Sequence, residues 1–199
     1  MKENGRYKPV VIDFDDLCDQ NSNLDTLLRL RERDPGFKVT LFAIPTRCSD
    51  ELFNQYAAHK DWIALGIHGW RHARHECLAW TSEEAEDKVK LAMEIYPGFS
   101  PIFKAPNWET CDELYDGLRK SDVSIADHIR NVDILPQDNK HYVYNVSLRE
   151  DPYVRLHGHI QPYNGTGLEE GWERWTKPPI GSPYLFAHEV AKKGSVVGH

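Results

Sequence analysis

Apolar residues fall along this chain in two alternating rhythms: short unbroken runs, and stripes spaced three or four apart. Residues 8–16 are such a run, Val10-Val11-Ile12-Asp13-Phe14-Asp15-Asp16 after Lys8-Pro9, and read as a strand whose end carries three carboxylates. Leu24, Leu27 and Leu28 share one face of a helix predicted over residues 24–33, with Asn21, Ser22 and Asn23 as candidate caps. Asp34-Pro35-Gly36 stops it, because proline and glycine both break helices. Residues 37–44 form a second strand, closed by Pro45. Ser49 starts a helix through Leu52 and Tyr56, with Asp50 and Glu51 in the first turn, where the helix dipole favours acids. A third strand runs from Trp62 through Gly66 into His68. Thr81-Ser82-Glu83-Glu84 opens a third helix with Ala85, Val89, Ala92 and Met93 on its apolar face, ended by Tyr96-Pro97-Gly98. Residues 101–106 read as a strand, 111–120 as a helix and 124–128 as a short strand.

Past residue 128 the rhythm loosens. Residues 141–146 and 153–160 read as strands separated by a loop with Asp151-Pro152, residues 163–167 as a turn-rich loop and 168–175 as a short helix. Residues 184–190 read as a last strand or a strand–helix turn. No repeat or low-complexity linker interrupts, and 199 residues suit one domain, 1–199, with a sizeable core. Strands alternating with helices predict the α/β class, as a parallel sheet or a barrel. In both, sites gather at the C-terminal ends of the strands.

Composition narrows the function. A formal charge of −7 speaks against nucleic acid as a partner, and no run of about 18 apolar residues exists to span a membrane. The first residues lack the apolar stretch of a secretory signal, and Cys18, Cys48, Cys77 and Cys111 form no CxxC pair. They read as free thiols of a reducing compartment rather than two disulfides, which points to the cytoplasm. Six tryptophans and nine tyrosines supply flat surfaces for a sugar, although most such rings fill cores.

The candidate chemistry gathers at strand ends. His68 and His72 stand four apart where the third strand ends, and paired imidazoles suit a borderline-soft divalent ion. Successive strand residues face opposite ways, so Asp15 and Asp16 take different jobs unless the chain turns there. One acid can bind metal while the other works as a base. Asp16, His68 and His72 as three ligands leave a position open for water, as catalysis at a metal requires.

These stretches resemble the polysaccharide deacetylases of carbohydrate esterase family four, the NodB-homology superfamily. Asp13-Phe14-Asp15-Asp16-Leu17 stands in the place of that family's Thr-Phe-Asp-Asp-Gly. His68-Gly69-Trp70-Arg71-His72 matches His-(Ser/Thr)-x-x-His, with glycine for the hydroxyl residue. Lys104-Ala105-Pro106-Asn107-Trp108 resembles Arg-x-Pro-aromatic with one residue more before the ring, and Asp127 fits the fourth motif loosely. The likeness covers roughly residues 10–128.

The resemblance implies a distorted (β/α) barrel and metal-dependent removal of an acetyl group from an amino sugar. Asp15 becomes the general base, and Asp16, His68 and His72 hold the ion, zinc by the donor set. A backbone N–H near Pro106-Asn107-Trp108 helps hold the oxyanion, Trp108 walls the sugar, and Lys104 orients the base where the family has arginine. Lys104, Pro106, Trp108 and Asp127 are thus the expected substrate-side residues. For the general acid the histidines of Arg155-Leu156-His157-Gly158-His159 are preferred over His188, with the choice between His157 and His159 open. Three other readings stand beside this one. His157-Gly158-His159 also resembles the zinc-binding pair of 6-pyruvoyl-tetrahydropterin synthases, a lyase with a small sheet fold. The same barrel also serves an amidase cutting a small C–N bond, or a non-catalytic binding module. A carbohydrate or a small acylated amine is the expected partner.

Overall fold

Val10, Ile12 and Phe14 point one way from the first long strand and Val11 the other, and this alternation organises the molecule. The computed structural model describes residues 2–3, 6–128, 131, 134, 136, 138–144, 153–160 and 181–193. Residues 145–146, the Asp151-Pro152 loop, the 163–167 loop and the helix expected at 168–175 lie outside them.

The chain opens with a small antiparallel pair, β1 (Lys2–Glu3) and β2 (Arg6–Tyr7), which the apolar pattern does not foretell. Then come β3 (Val10–Leu17), α1 (Leu24–Arg33), β4 (Val39–Ala43), α2 (Asp50–Ala57), β5 (Ile63–His68) and α3 (Ser82–Ile95). β6 (Phe99–Lys104), α4 (Asp112–Lys120), β7 (Ser124–His128), β8 (His141–Tyr144), β9 (Val154–His159), β10 (Tyr184–Leu185) and α5 (Ala187–Lys192) complete it. The expected alternation and the strand–helix turn at Tyr184 are both present.

Side chains explain where the helices begin. Ser49 Oγ accepts the Leu52 N–H at 3.2 Å. Thr81 and Glu84 form a reciprocal capping box: Thr81 Oγ1 accepts the Glu84 N–H, and Glu84 Oε2 accepts the Thr81 N–H. At α1 the candidate cap Asn21 is used elsewhere, its Nδ2 donating to the Asp16 carbonyl at 2.7 Å.

The main sheet is parallel, in the order β9-β3-β4-β5-β6-β7-β8, with β10 beside the first residues of β3. Strands β3 to β8 lie in chain order, and β9 then returns to pair with β3. The sheet curls into a half-barrel with α1 to α4 outside, the distorted (β/α) barrel expected. Between sheet and helices lies the larger core, including Ile12, Phe14, Leu27, Leu41, Phe53, Leu65, Phe103 and Leu114. A smaller cluster fills the concave side, where Val11, Phe42, Ile102 and Ala126 meet Ala187, Val190 and Ala191 of α5. α5 is thus a plug in the floor of the half-barrel, tied by the Ala187 N–H to Thr40 Oγ1 at 3.0 Å.

Period-two alternation dictates what stands above that floor. Asp13 and Asp15 follow Val11 on the inner face of β3, His68 and Lys104 lie there on β5 and β6, and His157 and His159 on β9. The register sets Asp13 opposite His157 and Asp15 opposite His159.

Candidate metal centre

Asp15 and Asp16 reach one site because the chain turns between them. Asp16 has φ 71°, and the β3–β4 register slips between Phe14 and Leu17, which marks a bulge. A left-handed conformation is strained for a residue with a Cβ, and such strain collects at functional sites. The Asn21 side chain on the Asp16 carbonyl helps hold it.

The turn brings Asp16 Oδ1 to 3.1 Å from His72 Nε2 and 3.5 Å from His68 Nε2. One ligand atom from each of Asp16, His68 and His72 lies within 4.8 Å of the others. His68 is buried, and its Nδ1 meets the Lys104 carbonyl at 2.9 Å. A carbonyl only accepts, so Nδ1 carries the proton and Nε2 keeps its lone pair for a ligand bond. A carboxylate oxygen and two imidazole nitrogens fit zinc or a similar divalent ion. Burial opposes ionisation of Asp16, but the imidazoles of His159, His68 and His72 around it outweigh that and hold the carboxyl below its usual range. His159 Nδ1 bonds the other oxygen, Oδ2, at 3.0 Å.

Asp15 turns the other way, toward Lys104. The Lys104 side chain is 0% exposed, and its Nζ lies 2.8 Å from Asp13 Oδ1, 2.7 Å from Asp15 Oδ1 and 3.0 Å from His157 Nδ1. The ammonium also sits over the rings of Trp108 and Phe42, at 4.5 and 4.8 Å from their centroids. Gly66 makes room for this, since a Cβ there would meet the Phe42 ring at 2.8 Å. Burial raises the cost of ionising Asp13, yet Lys104 and His157 more than offset it and hold its carboxyl down at about 2. Asp13, Asp15 and His157 have metal-ligand spacing of their own, but the Lys104 ammonium already bonds both acids and stands 3.0 Å from His157 Nδ1.

The two histidines of β9 therefore separate. His157 Nδ1 lies 2.8 Å from Asp13 Oδ1, and its Nε2 is 3.6 Å from Asp15 Oδ2. His159 joins Asp16 instead. With a different carboxylate on each, the pair is not arranged as a shared zinc-binding His-x-His. His188 lies on α5 in the floor, its ring stacked on Phe186.

Of the remaining expected residues, Trp108 packs its ring edgewise against His157 and His128. The Trp108 backbone N–H donates to the Ala105 carbonyl and the Glu109 backbone N–H to the Pro106 carbonyl, so neither is turned to a ligand. Pro106 is buried against the loop after β5. Asp127 stands apart from the cluster. It alternates with the inward Ala126, so it faces α4, where Tyr115 Oη donates to it at 2.8 Å and Asn131 Nδ2 at 2.7 Å. Asn131 also reaches the Trp108 carbonyl at 3.0 Å, so Asp127 braces the loop that carries Trp108.

The pattern of the sequence missed two contributors. The partnership of Asp13 with Lys104 had one available sign, the i,i+2 spacing of Asp13 and Asp15 on one strand face. Glu76 had none: its carboxylate accepts backbone N–H groups of residues 70–72.

With this geometry in place, comparison with solved structures defines the fold as that of the polysaccharide deacetylases of carbohydrate esterase family four. A family four acetyl xylan esterase from Clostridium thermocellum, solved with a cobalt ion, matches with a TM-score of 0.62 at 16% identity, over 94% of this chain and 91% of that one. A peptidoglycan N-acetylglucosamine deacetylase matches with a TM-score of 0.59 at 16% identity, over 90% and 86%. A family four pseudoenzyme from Bacillus anthracis matches at 0.54 and 14% identity, over 96% and 67%. No protein-family model matches the chain, and no curated protein does at the sequence level.

Proposed function

We propose that this chain is a metal-dependent amide hydrolase that removes an N-acetyl or related acyl group from an amino sugar or a similar acylated amine. The observation that carries the reading is the division of two neighbouring acids, Asp16 among the histidines and Asp15 beside them on Lys104. The solved deacetylases and esterases of the same fold support it and favour a carbohydrate substrate.

Asp16, His68 and His72 hold the ion, and zinc fits their donors best. When bound, it supplies Lewis acidity to a carbonyl oxygen and makes a water acidic enough to attack near neutral pH. Asp15 is the base. Lys104 takes its Oδ1, which leaves Oδ2, 4.0 Å from His68 Nε2, to accept the proton of the attacking water. His157 delivers a proton to the departing amine from Nε2, which faces the same carboxylate oxygen. Its Nδ1–H donates to Asp13 Oδ1, which Lys104 also holds, and that bond fixes the ring. His159 stays with Asp16 and orients the ligand carboxylate. Trp108 caps Lys104 and keeps water from the ammonium.

The test is amine and acetate release from N-acetylglucosamine oligomers by the metal-loaded chain. Activity is expected to vanish with a chelator and to return with zinc or cobalt. Turnover of small acylated amines but not of oligomers would move the assignment to the amidase reading. Metal bound without turnover of either substrate would refute hydrolysis.

A further inference from the structure

The loop that carries His72 is held by its own main chain, and one carboxylate gathers it. β5 ends at His68, and the chain then passes through Gly69 at φ 60° and His72 at φ 57°. Left-handed residues at such close spacing aim neighbouring N–H groups to one side and create a concavity for an anion. Glu76 fills it from within the chain. Its Oε1 accepts the N–H groups of Trp70 and His72, each at 3.0 Å, and its Oε2 accepts that of Arg71 at 3.0 Å. On the opposite side, the Thr46 hydroxyl donates to the Trp70 carbonyl at 2.7 Å.

Gly69 belongs to the same fit. A Cβ at this position would stand 2.1 Å from Glu76 Oε1 and 2.7 Å from Pro106 Cγ. The carboxylate therefore occupies the space that a side chain at residue 69 would need. Glu109 continues the restraint one turn later, with Oε2 on the His75 N–H at 3.1 Å and Oε1 on His75 Nδ1 at 2.8 Å. His68 needs no such device, being buried on a central strand. His72 sits outside the sheet with 28% of its side chain exposed, so its place depends on the loop.

We propose that Glu76 is the positioning residue of the metal centre: it fixes the loop 69–72 and so sets His72 where Asp16 and His68 need it. The inference rests on the metal reading above. Three hydrogen bonds to one carboxylate are stronger than neutral ones, and they order a segment that would otherwise lose His72 to many conformations.

The whole chain is compared as wild type, Glu76→Ala and Glu76→Gln, each titrated with cobalt(II) against a chromophoric chelator. The visible cobalt absorption band is recorded at saturation. Glu76→Ala is expected to weaken cobalt binding about 10–100-fold and to change the band, as loss of a supporting group around a metal ligand does. Glu76→Gln keeps one oxygen for Trp70 and His72 but not the acceptor for Arg71, so it is expected to fall between. In a His72→Ala background, Glu76→Ala is expected to add no further loss, because it acts through that ligand. If the alanine variant does not fold, the glutamine variant with native circular dichroism decides. Wild-type affinity and absorption in the variants, or fully additive losses with His72→Ala, would overturn the assignment. A wild-type chain that takes up no divalent ion would overturn the metal reading and this inference with it.

Discussion

Lys104 lies sealed on the inner face of the half-barrel with Asp13, Asp15 and His157 around its ammonium, whereas Asp16 and His72 are each more than a quarter exposed on turns at the strand ends. One region is placed by strands and the other by loops. A charge buried in a sheet must be fully partnered before the sheet can close, so its geometry is set with the fold itself. Side chains on turns are open to solvent, and their geometry has to be imposed locally, by the bulge at Asp16 and the carboxylate of Glu76. The contrast teaches that Asp15 is preorganised by the core, and Asp16 and His72 by hydrogen bonds to the main chain.

The sharpest way to break this comparison is Lys104→Met, which leaves two carboxylates buried without their cation. It is expected to lower unfolding stability by about 3–5 kcal/mol in urea melts, the range for removing one member of a buried charge pair. A loss below about 1 kcal/mol would mean that the network is not part of the core. Next, Asp15→Asn is expected to reduce turnover by about 10²- to 10⁴-fold while leaving metal content intact. Loss of metal in that variant would mean that the two acids have exchanged roles. A smaller effect follows from His72. Its hydrogen bond to Asp16 raises its pKa above the ordinary 6.5 against the opposing effect of burial, and a protonated imidazole cannot bind metal. Below that raised value, each unit of acidification is expected to weaken cobalt uptake by up to about tenfold, and binding should release protons measurable in weakly buffered solution. Unchanged affinity from pH 8 to 5 would place His72 outside the ligand set. The smallest effect is on stability: His72→Ala in the metal-free chain is expected to change it by about 0.5 kcal/mol or less, in keeping with a partly exposed position on a loop.

Much of this was legible in the sequence, and for stated reasons. The apolar runs and stripes gave β3 to β7 and α1 to α4, because each buries one face and obeys one period. Ser49 and Thr81 marked helix starts through a local side-chain bond. His68, His72 and the paired acids stood out because metal ligation demands particular residue types at strand ends. What stayed hidden depends on register. Lys104 is 91 residues from Asp13, and only the return of β9 to β3 puts His157 beside both. That return also separates His157 from His159, which two-residue spacing alone left equivalent. Asp127, which fits the fourth motif loosely, shows the same dependence: alternation from Ala126 turns it out to Tyr115. Glu76 was invisible because its partners are amide groups, which every sequence has.

The floor of the half-barrel has a consequence for how the buried cation is enclosed. α5 closes the concave side against β3, β6, β7 and β8, yet it lies at residues 187–192, after every strand that contributes to the acid–histidine cluster. Solvent is shut out from beneath Lys104 only once α5 packs against these strands, so the buried cation is sealed by a segment that follows all of its partners in the chain.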